Sequence, residues 1–552
     1  MLNEQVRANY KKWLDNTTGE VLNELRDMDE NTIEDAFYRN LEFGTGGLRG
    51  TIGAGTNRMN IYVVAKASQG LSNWLGNGTS VVIGYDSRIK SEDFAKVAAG
   101  VFAANGIKVY IWPELMPVPT VSFAVRELAA SAGVMITASH NPSKYNGYQV
   151  YGTDGCQITT EAASEILEQI DELDIFADVK LSDFDKGIEA GTIEYIDSTV
   201  FDSFIKEVKS QSVLFGDEIN RDVDIVYSPL NGTGLIPVLR VLNESGFSKI
   251  TVVEEQRKPD GNFPTCPYPN PEIQEAMELG LQYCEKTGAD LLLATDPDCD
   301  RCGIAVRNGN KYQLLSGNEV GLLLLDYICS QRNKHDRMPD TPVFIKTIVT
   351  MDLAEKIADH YGVQTINVLT GFKFIGEVIG RLEKAGREND YIFGFEESYG
   401  YLTGPYVRDK DAVDAAFIIC EMFAFYKTRG ISLLDKLNEL YETFGFCLNT
   451  LYSYEFPGST GMTKMQEIMR SFHKGMDFIA GERVIGTEDY LPGLNGLPCS
   501  DVLKFYTGNG SVVVRPSGTE PKLKMYISVT AENREIAEAT EKSIQADLER
   551  KP

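Results

Sequence analysis

Short apolar runs recur along the chain, each closed by polar or glycine-rich positions. Between them lie segments whose apolar residues return at helical spacing. Val81-Val82-Ile83-Gly84-Tyr85-Asp86, Ile107 to Trp112 and Gly133-Val134-Met135-Ile136 read as buried strands. Helical runs from Ser91 to Ala104 and from Val121 to Ala130 separate them. This β-α-β-α-β order predicts a largely parallel sheet with right-handed crossovers. A second set begins near Val223-Asp224-Ile225-Val226-Tyr227, passes a helix from Leu235 and ends at Asp290-Leu291-Leu292-Leu293-Ala294-Thr295. A third includes Val343 to Ile348, Ile366 to Leu369 and Tyr391-Ile392-Phe393. Residues 1–40 are polar, acidic and helical in pattern, and a last segment from about residue 440 mixes strands with a helix from Glu532 to Leu548. The three α/β sets suggest repeated domains, without repetition at the level of residues.

Size and charge narrow the picture. At 552 residues the chain is too long for one core, so three or four domains are expected. Asp and Glu number 80 against 53 Lys and Arg, a net charge of −27. Such a balance argues against nonspecific nucleic-acid binding, which needs a basic surface. It also obliges a site for an anionic substrate to gather its own cations locally. Met1-Leu2-Asn3-Glu4-Gln5-Val6-Arg7 lacks the apolar core of a signal peptide. Leu322-Leu323-Leu324-Leu325 is cut off by Asp326, well short of a membrane span. Nine scattered cysteines fit buried thiols in a reducing compartment. The expectation is a cytoplasmic protein with no membrane or nucleic-acid partner, monomeric or weakly homo-oligomeric.

Candidate chemistry sits where apolar runs end. Thr137-Ala138-Ser139-His140-Asn141-Pro142 follows the third run. Pro142 blocks a helix and biases Asn141 toward extended backbone. The hydroxyl of Ser139 is thereby held at the C-terminal end of a strand, where open α/β sheets bind ligands. Two readings stand: a polar strand exit, or a covalent nucleophile that needs an activating group and a cation. Adjacent residues on extended backbone point opposite ways, so Ser139 and His140 are not expected to form a hydrolase-type dyad.

Asp296-Pro297-Asp298-Cys299-Asp300-Arg301 follows another run. Alternation projects three carboxylates from one side of an extended loop, enough for a hard divalent cation. An EF-hand requires Gly at position 6 and Glu at position 12; Arg301 and Arg307 stand there instead. Phe43-Gly44-Thr45-Gly46-Gly47-Leu48-Arg49-Gly50-Thr51 reads as a glycine-rich loop offering Arg49 to a phosphate. Gly394-Phe395-Glu396-Glu397-Ser398-Tyr399-Gly400 places a carboxylate and a hydroxyl at a strand end, suited to a sugar, with a helix start as the alternative. Thr370-Gly371-Phe372-Lys373 and Arg408-Asp409-Lys410-Asp411 add loops bearing cations. Arg515-Pro516-Ser517-Gly518-Thr519-Glu520-Pro521 has the composition of a phosphate nest, to which Lys524 adds a second cation.

Together and in this order, the four loops resemble those of the α-D-phosphohexomutase superfamily over nearly the whole chain. The stretch 43–50 is similar to that of the branch holding bacterial phosphoglucomutases and phosphopentomutase-like enzymes. The resemblance implies four domains around a central cleft, three α/β and one smaller α+β. On the periodicity above they span 1–210, 211–310, 311–440 and 441–552. It implies a phosphoserine at Ser139, with His140 and Arg301 beside the transferring phosphoryl group. It implies Mg²⁺ on Asp296, Asp298, Asp300 and the phosphoserine. Arg49, Thr370, Gly371, Glu396, Ser398 and Lys410 would line the sugar side. Arg515, Ser517, Gly518, Thr519 and Lys524 would grip the non-reacting phosphate.

The implied reaction interconverts α-D-glucose 1-phosphate and glucose 6-phosphate through glucose 1,6-bisphosphate, which also serves as activator. Mannose or pentose phosphates are the alternative substrates. A silent sugar-phosphate-binding protein and a phosphatase are rivals from other classes. One position departs from the pattern: the lysine usual ten residues after the phosphoserine is Gln149. An amide cannot transfer protons near neutral pH, so a loss is expected unless another group carries the proton.

Overall fold

Three sets of alternating strands and helices form three sheets, and a fourth, wholly antiparallel sheet follows. The computed structural model describes residues 2–44, 46–456, 461–516 and 522–550. Its first sheet contains β1 (Phe43–Gly44), β2 (Gly47–Thr51), β3 (Ser80–Tyr85), β4 (Lys108–Ile111), β5 (Ala132–Ile136), β6 (Tyr145–Tyr151) and β7 (Ile193–Tyr195), in the order β1-β2-β6-β5-β3-β4-β7. β3, β4, β5 and β7 run parallel as the alternation predicts, and β6, β2 and β1 form an antiparallel edge. The second sheet, β12-β11-β10-β8-β9, is built from β8 (Ile225–Ser228), β9 (Ile250–Val252), β10 (Leu291–Thr295), β11 (Cys302–Asn308) and β12 (Lys311–Leu315). The third, β14-β13-β15-β16, uses β13 (Val343–Thr347), β14 (Gln364–Val368), β15 (Tyr391–Glu396) and β16 (Gly400–Leu402).

The last sheet begins with β17 (Phe446–Glu455). After the small hairpin β18 (Phe478–Ile479) and β19 (Glu482–Arg483) come β20 (Gly486–Asp489), β21 (Leu503–Thr507), β22 (Gly510–Pro516) and β23 (Lys522–Ala531), in the order β17-β23-β22-β21-β20. The protein is thus α/β in its first three units and α+β in the last.

Every residue of β5, β10 and β15 is buried, because helices cover both faces of a parallel sheet. That is why these strands read as uninterrupted apolar runs. One core continues from Val121 and Met135 through Leu291 and Leu293 to Ile345 and Phe393, locking the first three sheets together. The fourth sheet packs its own core around Phe505, Val512 and Ile527. It meets the third through Ile348, Val349 and Leu369 against Tyr490, Val502 and Tyr526.

Two expectations change. Residues 43–44 and 47–51 form paired antiparallel strands rather than a loop, with Leu48 inward and Arg49 outward on β2. The helix expected from Val121 starts at Val118, because Pro119 is accommodated in a first turn whose N–H groups need no partner within the helix. Among the described residues no helix is long and apolar enough to cross a membrane.

Candidate active site

The serine loop joins β5 to β6 and is held from beneath. Asp86, at the end of β3, accepts the Thr137 hydroxyl at 2.7 Å and the Ser91 hydroxyl at 2.7 Å. Arg88, wholly buried and 3.4 Å from Asp86, donates to the carbonyls of Ser139 and Asn141, and to those of Pro142 at 3.0 Å and Tyr145 at 3.1 Å. Gly147 on β6 lets the strand pass against this loop, since a Cβ there would lie 2.4 Å from the Thr137 carbonyl oxygen. The backbone of Ser139 is left-handed, φ 51°, which an L-residue adopts at a cost. Its N–H donates to Thr137 Oγ1 at 2.8 Å. The turn overturns the expectation drawn from extended geometry: Ser139 Oγ and His140 Nδ1 are 3.2 Å apart. Burial, then the nearby Arg301, Arg49, Arg88 and Lys410, hold His140 well below the usual histidine range, so its imidazole is neutral. Arg49 reaches the same loop, donating to Asn141 Oδ1 at 3.1 Å.

Ser139 Oγ is also 3.0 Å from Asp296 Oδ2, on the loop between β10 and β11. This loop is a tight turn and not the extended zigzag expected. Cys299, φ 53°, donates its N–H to the Asp296 carbonyl at 2.9 Å. Asp296 Oδ1 accepts from the N–H groups of Asp300 at 3.1 Å and Arg301 at 3.0 Å. The three buried carboxylates bring ligand oxygens within 4.8 Å of one another. Burial and mutual repulsion raise Asp296 to about 6 and push Asp298 well above the usual range. Asp298 Oδ1 and Asp300 Oδ1 are buried without a hydrogen-bond partner. An all-oxygen set with orphaned acceptors and excess negative charge fits a hard divalent cation. Arg301 lies between this loop and Glu272, its Nε 3.8 Å from Asp300 Oδ1 and its Nη1 paired with Glu272. Cys299 and Cys302 are fully buried, and burial raises both thiols.

At the end of β15, Glu396 accepts the N–H of Gly371 at 2.9 Å, so two of the expected sugar loops meet. Burial raises Glu396 to about 7 against the opposing pull of Lys410. Thr370 Oγ1 is buried nearby with no partner, and Ser398 is half-buried in the turn before β16. Lys410 extends further than the sugar side assigned to it: its Nζ is 2.8 Å from Asp300 Oδ2. In the fourth unit Arg515 on β22 stands directly opposite Lys524 on β23, so both side chains leave one face of the sheet. Arg515 Nε is buried without a partner. The expected Ser517, Gly518 and Thr519 lie outside the described residues.

Asp86, Arg88, Glu272 and Asp409 were not singled out from the sequence. Asp86 carries a signal, a charged residue immediately after an apolar run, and Asp409 lies in a loop already marked for its cations. The others act through partners far along the chain.

Four family models match the chain consecutively. They describe phosphoglucomutase/phosphomannomutase alpha/beta/alpha domains I, II and III, at residues 40–175, 202–309 and 316–444, and the C-terminal domain at 464–544. A phosphoglucomutase of Staphylococcus saprophyticus is 37% identical over 538 residues, covering 94% of this chain and 96% of that protein. One of Staphylococcus aureus is 37% identical over 522 residues, covering 90% and 91%. Among solved structures, a putative phosphomannomutase from Thermus thermophilus shares the fold with a TM-score of 0.69 at 20% identity, covering 93% of this chain and 99% of that one. The phosphoprotein pp63/parafusin from Paramecium does so with a TM-score of 0.71 at 18% identity, covering 93% and 95%.

Proposed function

The chain belongs to the phosphoglucomutase/phosphomannomutase family, and on that premise we propose that it interconverts α-D-glucose 1-phosphate and glucose 6-phosphate through a phosphoserine at Ser139. The observation that carries the reading is the meeting of Ser139 Oγ with Asp296 at 3.0 Å inside a ring of three buried carboxylates, Arg301 and Lys410. Glucose is favoured over mannose and pentose because relatives at 35–37% identity over at least 90% of the chain are named phosphoglucomutases. Asp296, Asp298 and Asp300 would hold Mg²⁺, which supplies positive charge to the oxygens of the transferring group.

The chain's own residues account for the protons. When Ser139 Oγ attacks a phosphorus of the bound sugar bisphosphate, its proton passes to neutral Nδ1 of His140. The bond from phosphorus to the sugar oxygen breaks, and that oxygen takes a proton from the Lys410 ammonium. Lys410 thus does what an amide at position 149 cannot. The reverse steps pass the phosphoryl group from the phosphoserine to the free hydroxyl of a sugar monophosphate, forming the bisphosphate, which turns over before Ser139 attacks its other phosphorus. Arg301 neutralises charge on the group in flight. Glu396, Ser398 and Thr370 bind sugar hydroxyls, while Arg515 and Lys524 hold the idle phosphate. Arg49 braces the serine loop through Asn141. Intact mass before and after glucose 1,6-bisphosphate tests the nucleophile: the gain of one phosphoryl group should vanish in Ser139→Ala. A preference for a pentose phosphate above tenfold in kcat/KM would remove glucose as the substrate.

A further inference from the structure

The outward face of β6 touches the third unit through a chain of polar groups. Gln149 and Tyr151, two residues apart, share the face opposite to Tyr148 and Val150. Gln149 Oε1 lies 3.1 Å from Gln157 Nε2 and 3.1 Å from the Tyr151 hydroxyl. That hydroxyl, wholly buried, is also 3.1 Å from Asp409 Oδ2. The other oxygen of Asp409 accepts the N–H of Lys410 at 2.9 Å and faces its ammonium at 3.5 Å. The ammonium ends 2.8 Å from Asp300. The loop carrying Asp409 and Lys410 is clamped alongside: Arg408 donates its N–H to Ser122 Oγ at 3.0 Å and its guanidinium to Glu383 at 2.8 Å, which Arg126 also grips at 2.6 Å.

We propose that Tyr151 is a positioning residue for Lys410: its hydroxyl fixes Asp409, Asp409 orients the ammonium, and the neutral amide of Gln149 leaves the charge of Asp409 to Lys410. A hydroxyl has one proton, and the carboxylate is the stronger acceptor, so that proton goes to Asp409. The amide of Gln149 fills the remaining contact, since either of its ends occupies the same space. A lysine at 149 would bring a second ammonium to this chain and would compete with Lys410 for Asp409. The departure at Gln149 and the reach of Lys410 are therefore one arrangement. This inference rests on the placing of Lys410 in the proposed reaction site.

The test is a double-mutant cycle on the full-length enzyme. Tyr151→Phe keeps the buried ring and removes only the hydroxyl. Its kcat should fall about tenfold, the scale of one hydrogen bond to a charged group, with KM within about twofold. Ser139 should still gain its phosphoryl group by intact mass. In a Lys410→Gln background the same change should add less than about twofold, because Tyr151 acts through Lys410. Gln149→Lys, on a half-buried position, should also lower kcat. A full-rate Tyr151→Phe enzyme, a penalty that persists undiminished in Lys410→Gln, or a faster Gln149→Lys enzyme would each overturn the proposal. A full-rate Lys410→Gln enzyme would instead overturn the assignment of Lys410 on which it rests.

Discussion

Freed of divalent cations by a chelator, the protein should lose stability as pH rises between about 4 and 6, and Mg²⁺ should abolish that loss. Asp296 has a folded-state value raised from 3.8 to about 6. A raised carboxyl binds its proton more tightly in the folded chain, so its contribution is fully present below the unfolded value and is lost as pH passes through the folded one. The shift corresponds to about 3 kcal/mol at pH 7. Geometry gives the same scale: two unit charges 4.8 Å apart repel by about 3.5 kcal/mol at an effective dielectric of about 20. Asp298→Asn keeps the shape and removes one charge. In chelator at pH 7 this variant should be more stable than the parent, and it should gain less from Mg²⁺. Thermal midpoints in chelator and in excess Mg²⁺, from about pH 4 to 7, read both effects. A variant no more stable than the parent in chelator, with its full Mg²⁺ increment retained, would refute the placing of a cation among these carboxylates.

Two further outcomes follow from other parts of the structure. His140→Gln should lower kcat by about 10²–10⁴-fold, the usual span for general acid–base help. Because the imidazole is neutral, the parent kcat should show no step from it between about pH 6 and 8; a rise centred on the ordinary histidine value would contradict the assignment. At the joint between the third and fourth units, Asp352 accepts from Lys504 at 2.8 Å and from the Ser511 hydroxyl at 2.6 Å, and lies 3.4 Å from buried Lys346. Asp352→Asn removes one of the two carboxylates facing these ammonium groups, Glu355 at 3.0 Å from Lys346 being the other, a loss of about 1–3 kcal/mol. The thermal midpoint should fall, and KM should rise as the sheet carrying Arg515 loosens.

The strands and the site loops were legible because each is contiguous. An uninterrupted apolar run such as Leu291 to Thr295 marks a strand covered on both faces, and the polar residues after it mark the strand's end. What the sequence hid depends on contacts between distant residues or on one backbone angle. Nothing local distinguishes Arg88, whose guanidinium supports the serine loop 51 residues ahead. Lys410 and Asp300, 2.8 Å apart, come from different sheets. The pairing of Ser139 with His140 turned on a single positive φ, and the zigzag expected of the three aspartates failed for the same reason at Cys299.

Those angles belong to a repeated device. In each of the first three sheets one parallel strand reverses into an antiparallel neighbour: β5 into β6, β10 into β11, β15 into β16. Each reversal contains a left-handed residue other than glycine: Ser139, Cys299 and Tyr399. Such a conformation costs roughly 1–2 kcal/mol for an L-residue, which glycine would avoid. Cys299 and Tyr399 instead use their side chains to anchor their turns, the first within the shared core and the second packed against it. Ser139 has no such anchor, and Arg88 and Asp86 hold its loop from outside. Its side chain is left for chemistry. One turn geometry therefore places Ser139, the three aspartates and Glu396 at three strand ends, where we propose the nucleophile, the cation site and the sugar-binding acid. Since only the backbone course is shared and the residue types differ, the repetition is absent from the sequence although it is plain in the fold.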